Sequence, residues 1–554
     1  MKTVCVQCRI RKVRCDGAKP CCSTCERLHL DCSFHEVTEG VTVGPPRVPP
    51  KYRGTQACAQ CRAMKLVGSY FSRLHALPAY SFLHQETVQR RCHEKTINFA
   101  LKLALCAITA LILGIHESKR DKWAWTSEHF VLDRLEQPSI FHLQALLLVI
   151  RYRAEAGQFR RAFMLAGLAA RSAVALRLNY EHPELGPLAQ EVRRRTFWSL
   201  YLLEDVFCVG LKEFELCRPD IIQLQLPCED ESFGQESSPN TGFLQPGMGL
   251  EPETIGSKGI YLKLVFTRRS VMKLSRQIYL KEIDLAGLFC AIDHLQSDLR
   301  RISSQFSPND RYPPLDSDEF DWRPQYVMLQ LSYHQCHCDL YRIFLSGYPE
   351  AAPQVNIEGI KPRDLTTMRH RCLKNAEEIL RILFDYDTHA EGQQILDFDV
   401  AVCAYHAARL VLFGTFKENR NADSLMNTAI SKAQLSLDII SRRFTFSAAV
   451  APMRDDLSRL IQSYESLVRS SNGDGTGDLV DRGPLPAPGV SRAAAIRQQL
   501  SVHSLLLRST FPDPSLSGIF DGVNLDFSMW PGFPGSYEQL GTAGNSDFEE
   551  QYMY

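Results

Sequence analysis

Apolar side chains recur at spacings of three and four residues through most of positions 70–470, and alternation of apolar with polar positions is scarce there. This period is that of an amphipathic α-helix, whereas a half-exposed β-strand alternates at every second residue. The pattern predicts helices at 139–156 and 159–178, and a third at 192–208 that is apolar around much of its surface. A helix of that kind belongs in the interior. We therefore expect an all-α domain in the middle of the chain.

The most apolar run of the chain, 103–115, is 13 residues long and follows Lys102. A membrane-spanning helix needs about 20 residues, so this run predicts a buried helix and no membrane association. The first residues also lack the charged and then apolar pattern of a secretory leader. We expect a protein that is not secreted.

Charge is balanced overall, with 63 basic and 63 acidic side chains, but it is unevenly placed. A basic run near the start contains Arg9, Arg11, Lys12 and Arg14, whereas 509–554 holds seven acids and no Lys, Arg or His. A basic beginning and an acidic end on a neutral chain suggest two different partners.

Nine of the 19 cysteines lie within the first 61 residues. Three of them have the spacing C-x2-C-x6-C, and three more repeat that spacing 17 residues later: Cys5, Cys8 and Cys15, then Cys22, Cys25 and Cys32. Cys21 falls outside the repeat and is taken as a spectator, although its position beside Cys22 leaves the fourth ligand open. Clustered cysteines in a protein that is not secreted indicate metal ligands rather than disulfides.

Zn2+ prefers four tetrahedral sulfur ligands, and six thiolates cannot supply two separate four-sulfur sites. Two ions are nevertheless saturated if two of the six thiolates bridge both ions. A unit of about 35 residues buries too little apolar surface to fold alone, so metal binding should supply its folding free energy. We expect one short helix starting near Cys8 and another following Cys25.

The run from Cys5 to Pro20, CVQCRIRKVRCDGAKP, together with Cys22, Cys25 and Cys32, resembles the fungal Zn(II)2Cys6 binuclear cluster family. The resemblance implies two zinc ions bridged by Cys5 and Cys22. It implies further that Cys8 and Cys15 complete one site and that Cys25 and Cys32 complete the other.

The same resemblance implies binding to double-stranded DNA, because the family reads CGG-type triplets from the end of its first short helix. Carried over, the base-reading residue is Lys12, with Arg11 beside it, and Arg9 and Arg14 contact phosphates. The alternatives left open are a zinc-stapled knob with no role in nucleic-acid binding, and a disulfide framework.

The segment with Cys58 and Cys61, after a proline-rich linker, resembles the opening of a second cluster of the same family. Its third ligand would fall at Gly68, and no further cysteine occurs before Cys92. Two thiolates cannot close a structural zinc site, so we expect this remnant to hold no metal in the manner of the first cluster.

Four passages of the middle resemble the fungal-specific regulatory domain, or middle homology region, that accompanies such clusters. They are 70–84, RRRTFWSLY at 193–201, the segment from Arg218-Pro219 to Leu226-Pro227, and 333–342. No phosphate-binding glycine loop, H-E-x-x-H or G-x-S-x-G motif is present, so catalysis is not expected.

The acids of the C-terminal segment are interleaved with nine aromatic residues, a composition typical of a disordered activation segment that binds coactivators. An inert tail is the alternative. The expected fold class is thus mainly α, with a small N-terminal Zn2Cys6 cluster, a large all-α regulatory domain and a disordered tail. The predicted boundaries are 1–35 for the cluster, 36–57 for the linker, 58–67 for the remnant, 68–470 for the regulatory domain and 471–554 for the tail.

These features together predict a nuclear, sequence-specific transcription factor for RNA polymerase II genes. By resemblance it would control a metabolic pathway or a secondary-metabolite gene cluster. The second hypothesis is a partner-binding co-regulator that no longer binds DNA. A homodimer is possible, but no sustained heptad repeat predicts one.

Overall fold

A computed structural model describes residues 4–34 except 12, and residues 59–471 with short gaps. The gaps are 208–214, 238, 250–251, 253–254, 308–309, 314–321, 391–393 and 419–422. The predicted linker 36–57 and the predicted activation segment 471–554 lie outside the described residues, apart from Ser471 at a helix end. Two compact units result, 1–57 and 58–554, which we call the head and the helical domain.

The head contains two short helices, α1 (Val6–Arg11) and α2 (Ser23–Arg27). The described part of the helical domain contains fifteen more and only isolated β-bridges, which confirms the predicted mainly α fold. These helices are α3 Ala59–Arg73, α4 Gln85–His93, α5 Phe99–Ile112, α6 Glu117–Leu132, α7 Ile140–Glu155, α8 Phe159–Ala175, α9 Pro187–Phe207, α10 Asp230–Gly234, α11 Ser257–Tyr279, α12 Leu285–Ser304, α13 Pro324–Arg342, α14 Pro362–His389, α15 Phe398–Glu418, α16 Asp423–Arg443 and α17 Ala451–Ser471.

The three helices delimited by the sequence are present, with shifted ends. Helix α7 agrees with the prediction to within one residue at each end, because Ser139 caps it through a hydrogen bond from the His142 N–H at 3.2 Å. Helix α8 ends at Ala175 rather than 178, and the following Arg177 has a left-handed φ of 50°. Helix α9 begins at Pro187, five residues before the predicted start.

One continuous hydrophobic core extends from α3 to α17. The apolar run 103–115 forms most of α5, whose inner residues are buried, as predicted. Among the described residues, the segment Phe398–Lys417 of α15 is long and apolar enough to cross a membrane by length and composition, and 83% of its apolar window is buried in the fold. The buried core helix of a soluble protein meets the same criterion.

A buried carboxyl group beside α15 makes the stability of this domain sensitive to pH. Burial raises the pKa of Asp397 to about 6; Arg151 opposes this shift and Asp399 adds to it. Between about pH 4 and pH 6 the folded state therefore binds more protons than the unfolded state, and stability falls as the pH rises through that window.

We expect Asp397→Asn to remove this loss, which is on the order of 2 kcal/mol. Denaturant unfolding at pH 4.5 and pH 7 measures it for both proteins. The same decrease in wild type and variant would contradict the assignment.

Candidate metal centre and nucleic-acid interface

Six cysteine sulfur atoms of the head form two groups of four. In each group the sulfur atoms all lie within 4.8 Å of one another. Two cysteines belong to both groups and each group has two of its own: Cys5 and Cys22 are shared, Cys8 and Cys15 complete the first, and Cys25 and Cys32 complete the second. The structure thus brings all six candidate ligands together, and the shared pair is the pair that the family resemblance names as bridging.

The spacing of these sulfur atoms fits zinc. Four sulfurs placed tetrahedrally at about 2.3 Å from an ion lie about 3.8 Å from one another. The Sγ atoms of Cys5 and Cys22 are 3.7 Å apart, and that of Cys8 is 3.6 Å from that of Cys22. In the second group, the Sγ atoms of Cys5 and Cys25 are 3.7 Å apart. The residues present can therefore hold two ions with Cys5 and Cys22 between them.

The two shared cysteines stand at the beginnings of the two short helices. Cys22 is the N-cap of α2, and its Sγ accepts a hydrogen bond from the Cys25 N–H at 3.4 Å. The Cys8 N–H donates to the Sγ of Cys5 over the same distance of 3.4 Å. Each helix consequently begins right after its shared cysteine. Helix α1 starts two residues before Cys8, close to the predicted start, whereas the prediction that α2 follows Cys25 is wrong, because α2 contains Cys25.

These hydrogen bonds give the shared thiols of Cys5 and Cys22 a different electrostatic environment from those of Cys8 and Cys25. The backbone hydrogen bond from Cys8 lowers the pKa of Cys5, and that from Cys25 lowers the pKa of Cys22. Burial raises the pKa of Cys8 to about 12 and raises the pKa of Cys25 as well. Zinc must displace the protons of such thiols, so zinc affinity should fall as the pH is lowered.

The loop between the two halves is held by polar residues that the sequence pattern did not single out. Asp16 accepts a hydrogen bond from the Ser23 N–H at 3.3 Å, and its other oxygen accepts from the Ala18 N–H at 3.5 Å. The Thr24 hydroxyl donates to the Arg14 carbonyl at 3.2 Å. These contacts tie the end of the basic run to the first turn of α2. The aspartate directly after the third cysteine is the feature of the sequence that could have indicated these contacts.

Of the four candidate DNA contacts, the structure places the side chains of two. Arg11, the last residue of α1, and Arg14 are both exposed. Neither forms an ion pair with a described residue of the head. Lys12 lies outside the described residues, and Arg9 is placed in α1 without its side chain. Exposed guanidinium groups without acidic partners are suited to phosphate contacts.

Cys21 and the second C-x2-C pair stand apart from these groups. The Sγ of Cys21 contacts the carbonyl oxygen of Cys22 at 3.7 Å and belongs to neither four-sulfur group. Cys58 lies outside the described residues, and Cys61 is in α3 without a described side chain. Helix α3 continues through Gly68, where a third ligand would have stood. That Cys58 and Cys61 hold no metal stays a prediction.

Two segments of the chain match known families. Residues 3–39 match the fungal Zn(2)-Cys(6) binuclear cluster domain, and residues 67–307 match the fungal specific transcription factor domain. The first match includes all six cysteines of the two groups. The second includes three of the four passages noted in the sequence, while 333–342 lies beyond its end.

Curated relatives resemble the chain more distantly. An uncharacterized transcriptional regulatory protein of Schizosaccharomyces pombe is 23% identical over 302 residues, which are 48% of this chain and 30% of the relative. The Zn(2)-C6 fungal-type transcription factor FTF1c of Fusarium oxysporum is 25% identical over 33% of this chain and 22% of its own length. The nitrogen assimilation transcription factor nit-4 of Neurospora crassa is 21% identical over 57% of this chain and 28% of its own length. The chain thus aligns with less than a third of each relative.

Proposed function

Because the chain belongs to the family of fungal Zn(2)-Cys(6) transcription factors, whose cluster domain binds two zinc ions, we propose that it is a sequence-specific DNA-binding regulator of RNA polymerase II genes. It acts in the nucleus and has no catalytic role. The observation that carries the proposal is the pair of four-sulfur groups sharing Cys5 and Cys22, next to a run of exposed basic residues.

The zinc ligands are the six cysteines of these groups. The shared Cys5 and Cys22 bridge the two ions, and each ion gains two further thiolates from one half of the repeat. Zinc here supplies folding free energy rather than chemistry, because four thiolates close the coordination of each ion and leave no position for a substrate. The cluster holds α1 and α2 together and so fixes the direction of the basic run.

The basic run divides into a base-reading part and a positioning part. Lys12, with Arg11 beside it, donates to guanine O6 and N7 of a CGG-type triplet in the major groove. Arg9 and Arg14 neutralise phosphates and set the register. The exposure of Arg11 and Arg14, and their lack of ion pairs within the described head, support this division.

Lys12→Ala tests the base-reading role. We expect the full chain to bind a CGG duplex about 10- to 100-fold more weakly after this change, and a scrambled duplex about as well as before. Arg14→Ala should weaken binding to both duplexes equally. It should also reduce the number of counterions released on binding by about one, which lowers the salt dependence of the affinity. Fluorescence anisotropy at several salt concentrations measures both effects, with Lys119→Ala, an exposed lysine on α6, as the matched control.

Two outcomes would contradict the proposal. Equal binding to both duplexes by the wild type would mean that the head reads no triplet. Absence of salt-sensitive DNA binding in the zinc-loaded chain would favour the partner-binding co-regulator instead.

The remaining parts complete the proposed regulator. Residues 68–470 form its regulatory domain, 36–57 the linker and 58–67 the remnant of a second cluster. The tail 471–554 recruits coactivators through its acidic and aromatic residues. The target is a metabolic or secondary-metabolite gene set, which the name of the nitrogen assimilation relative supports at the level of metabolism. Transcript profiling after deletion of the gene tests this, and unchanged transcripts of every metabolic gene would contradict it.

A further inference from the structure

A cleft of about 550 Å³ opens in the first half of the helical domain, far along the chain from the six cysteines of the two four-sulfur groups. Four helices contribute residues from their first turns or caps to its lining. Representative residues are Thr87 of α4, Leu101 of α5, Phe141 of α7 and Leu188 of α9. A cleft of this volume is in the range that holds a small organic molecule.

The convergence of four helix beginnings gives the cleft a positive electrostatic potential. Each helix N-terminus carries roughly half a positive charge and backbone N–H groups without partners inside the helix. Asn98, at the cap of α5, and Pro187, the first residue of α9, both line the cleft. An anionic group is therefore favoured here over a neutral or cationic one.

A buried histidine supplies a second and independent indication. His84 lines the cleft, is only 5% exposed, and its Nε2 has no hydrogen-bond partner among the described residues. Its Nδ1 lies 2.9 Å from the Thr87 hydroxyl. If that hydroxyl donates to Nδ1, then Nε2 carries the proton and can donate to a ligand. A buried N–H donor without an acceptor destabilises the folded protein, so a ligand that accepts a hydrogen bond from it is favoured.

The two basic side chains of the lining also favour an anion. Arg91 and Arg193 line the cleft, and neither forms an ion pair with a described residue. The guanidinium of Arg91 lies over the Phe141 ring at 4.9 Å. Nη2 of Arg193 donates to the backbone carbonyls of Leu176 at 2.9 Å and Arg177 at 3.0 Å, and its Nε is buried without a partner among the described residues. Among the described residues of the lining there is one acid, Glu236, and it is exposed. Apart from these groups the walls are largely apolar, among them Val88, Ile97, Leu101, Ile140, Leu188 and Val192.

We propose that this cleft binds an amphipathic organic anion, namely a carboxylate on an apolar body. The carboxylate lies among the helix beginnings, where it accepts from Nε2 of His84 and pairs with Arg91, and the apolar body covers the aliphatic walls. The proposal goes beyond DNA binding and does not depend on the zinc cluster.

Decanoate is the probe, and 1-decanol is its uncharged counterpart with the same tail. We expect isothermal titration calorimetry of the full chain, below the micellar concentration and without DNA, to show one decanoate bound per chain. Decanol should bind at least about tenfold more weakly, because it lacks the charge-assisted hydrogen bonds. Equal affinity for the two probes, or no saturable binding of decanoate, would overturn the proposal.

Arg91→Gln and Arg90→Gln form a matched pair on α4, because Arg90 is exposed and does not line the cleft. Arg91→Gln should lower the affinity for decanoate at least about tenfold and leave the affinity for decanol unchanged. Arg90→Gln should change neither affinity. Val192→Phe, which places a larger side chain in the wall of the cleft, should weaken the binding of both probes. Thermal unfolding without ligand verifies that each variant is folded. Equal decanoate affinity in wild type and Arg91→Gln would also overturn the proposal, even if DNA binding is established.

Discussion

Replacing Cys22 by Ser is expected to remove both zinc ions and reduce DNA binding to the non-specific level, a loss of ~10³-fold or more. Cys22 belongs to both four-sulfur groups, so its loss leaves each ion with three thiolates. Serine is itself a good N-cap residue, so the first turn of α2 keeps its cap and the effect reports on metal binding. Zinc content by native mass spectrometry and anisotropy on a CGG duplex measure the two losses.

Cys21→Ser is the matched control, one residue away. The Cys21 thiol donates to the backbone carbonyl of Cys22 and is in neither four-sulfur group, so about two zinc ions and full DNA affinity should remain. The reverse result, with zinc lost from Cys21→Ser and kept by Cys22→Ser, would mean that the fourth ligand has been misassigned.

Asp339→Ala should destabilise the helical domain by about 3–5 kcal/mol. Asp339 of α13 is fully buried and accepts from the Nε of Arg268 on α11 at 2.8 Å. Its other oxygen lies 3.0 Å from Nη1 of Arg342 and accepts from Gln335 at 2.7 Å. Burial alone would raise the pKa of Asp339, but Arg342 and Arg268 together lower it, so the group is a carboxylate. Its removal leaves two buried guanidinium groups without their partner.

Denaturant unfolding followed by circular dichroism measures the change as a shifted midpoint with an unchanged slope. Asp298→Ala is the control, because that carboxylate is part of a more exposed pair with Arg301 at 3.1 Å and should cost less than about 1 kcal/mol. The zinc content of Asp339→Ala should stay at about two, since metal binding folds the head. Equal destabilisation by the two variants would contradict the buried network.

The sequence could predict the metal centre because its geometry follows from spacing. Two C-x2-C-x6-C halves and the saturation of two ions by six thiolates require two shared ligands, and the family resemblance named Cys5 and Cys22. The positions of the short helices could not be predicted in the same way. They depend on the Sγ of Cys22 acting as an N-cap, a role that cysteine seldom has and that residue preferences do not indicate.

Prediction from the sequence also has a limit in the helical domain. Apolar periodicity located α5, α7, α8 and α9, but the first two turns of α9 contain buried polar residues that the sequence pattern places on the surface. Glu191 is 1% exposed there and pairs with Arg195 at 2.8 Å. Hydropathy cannot separate an exposed charge from a buried ion pair, because only tertiary contacts decide between them. The cleft was unpredictable for the same reason, since it forms where tertiary packing brings together the beginnings of α4, α5, α7 and α9.

X-ray absorption at the zinc edge of the zinc-loaded full chain tests the central claim most directly. Shared ligands give each ion four sulfur neighbours at about 2.3 Å, no nitrogen or oxygen, and a second zinc in the next shell. Six thiolates divided without sharing would give three sulfurs per ion, with water or another ligand in the fourth position and no neighbouring zinc. The first result is the one that the two sulfur groups predict, and the second would contradict the binuclear cluster on which the proposed function depends.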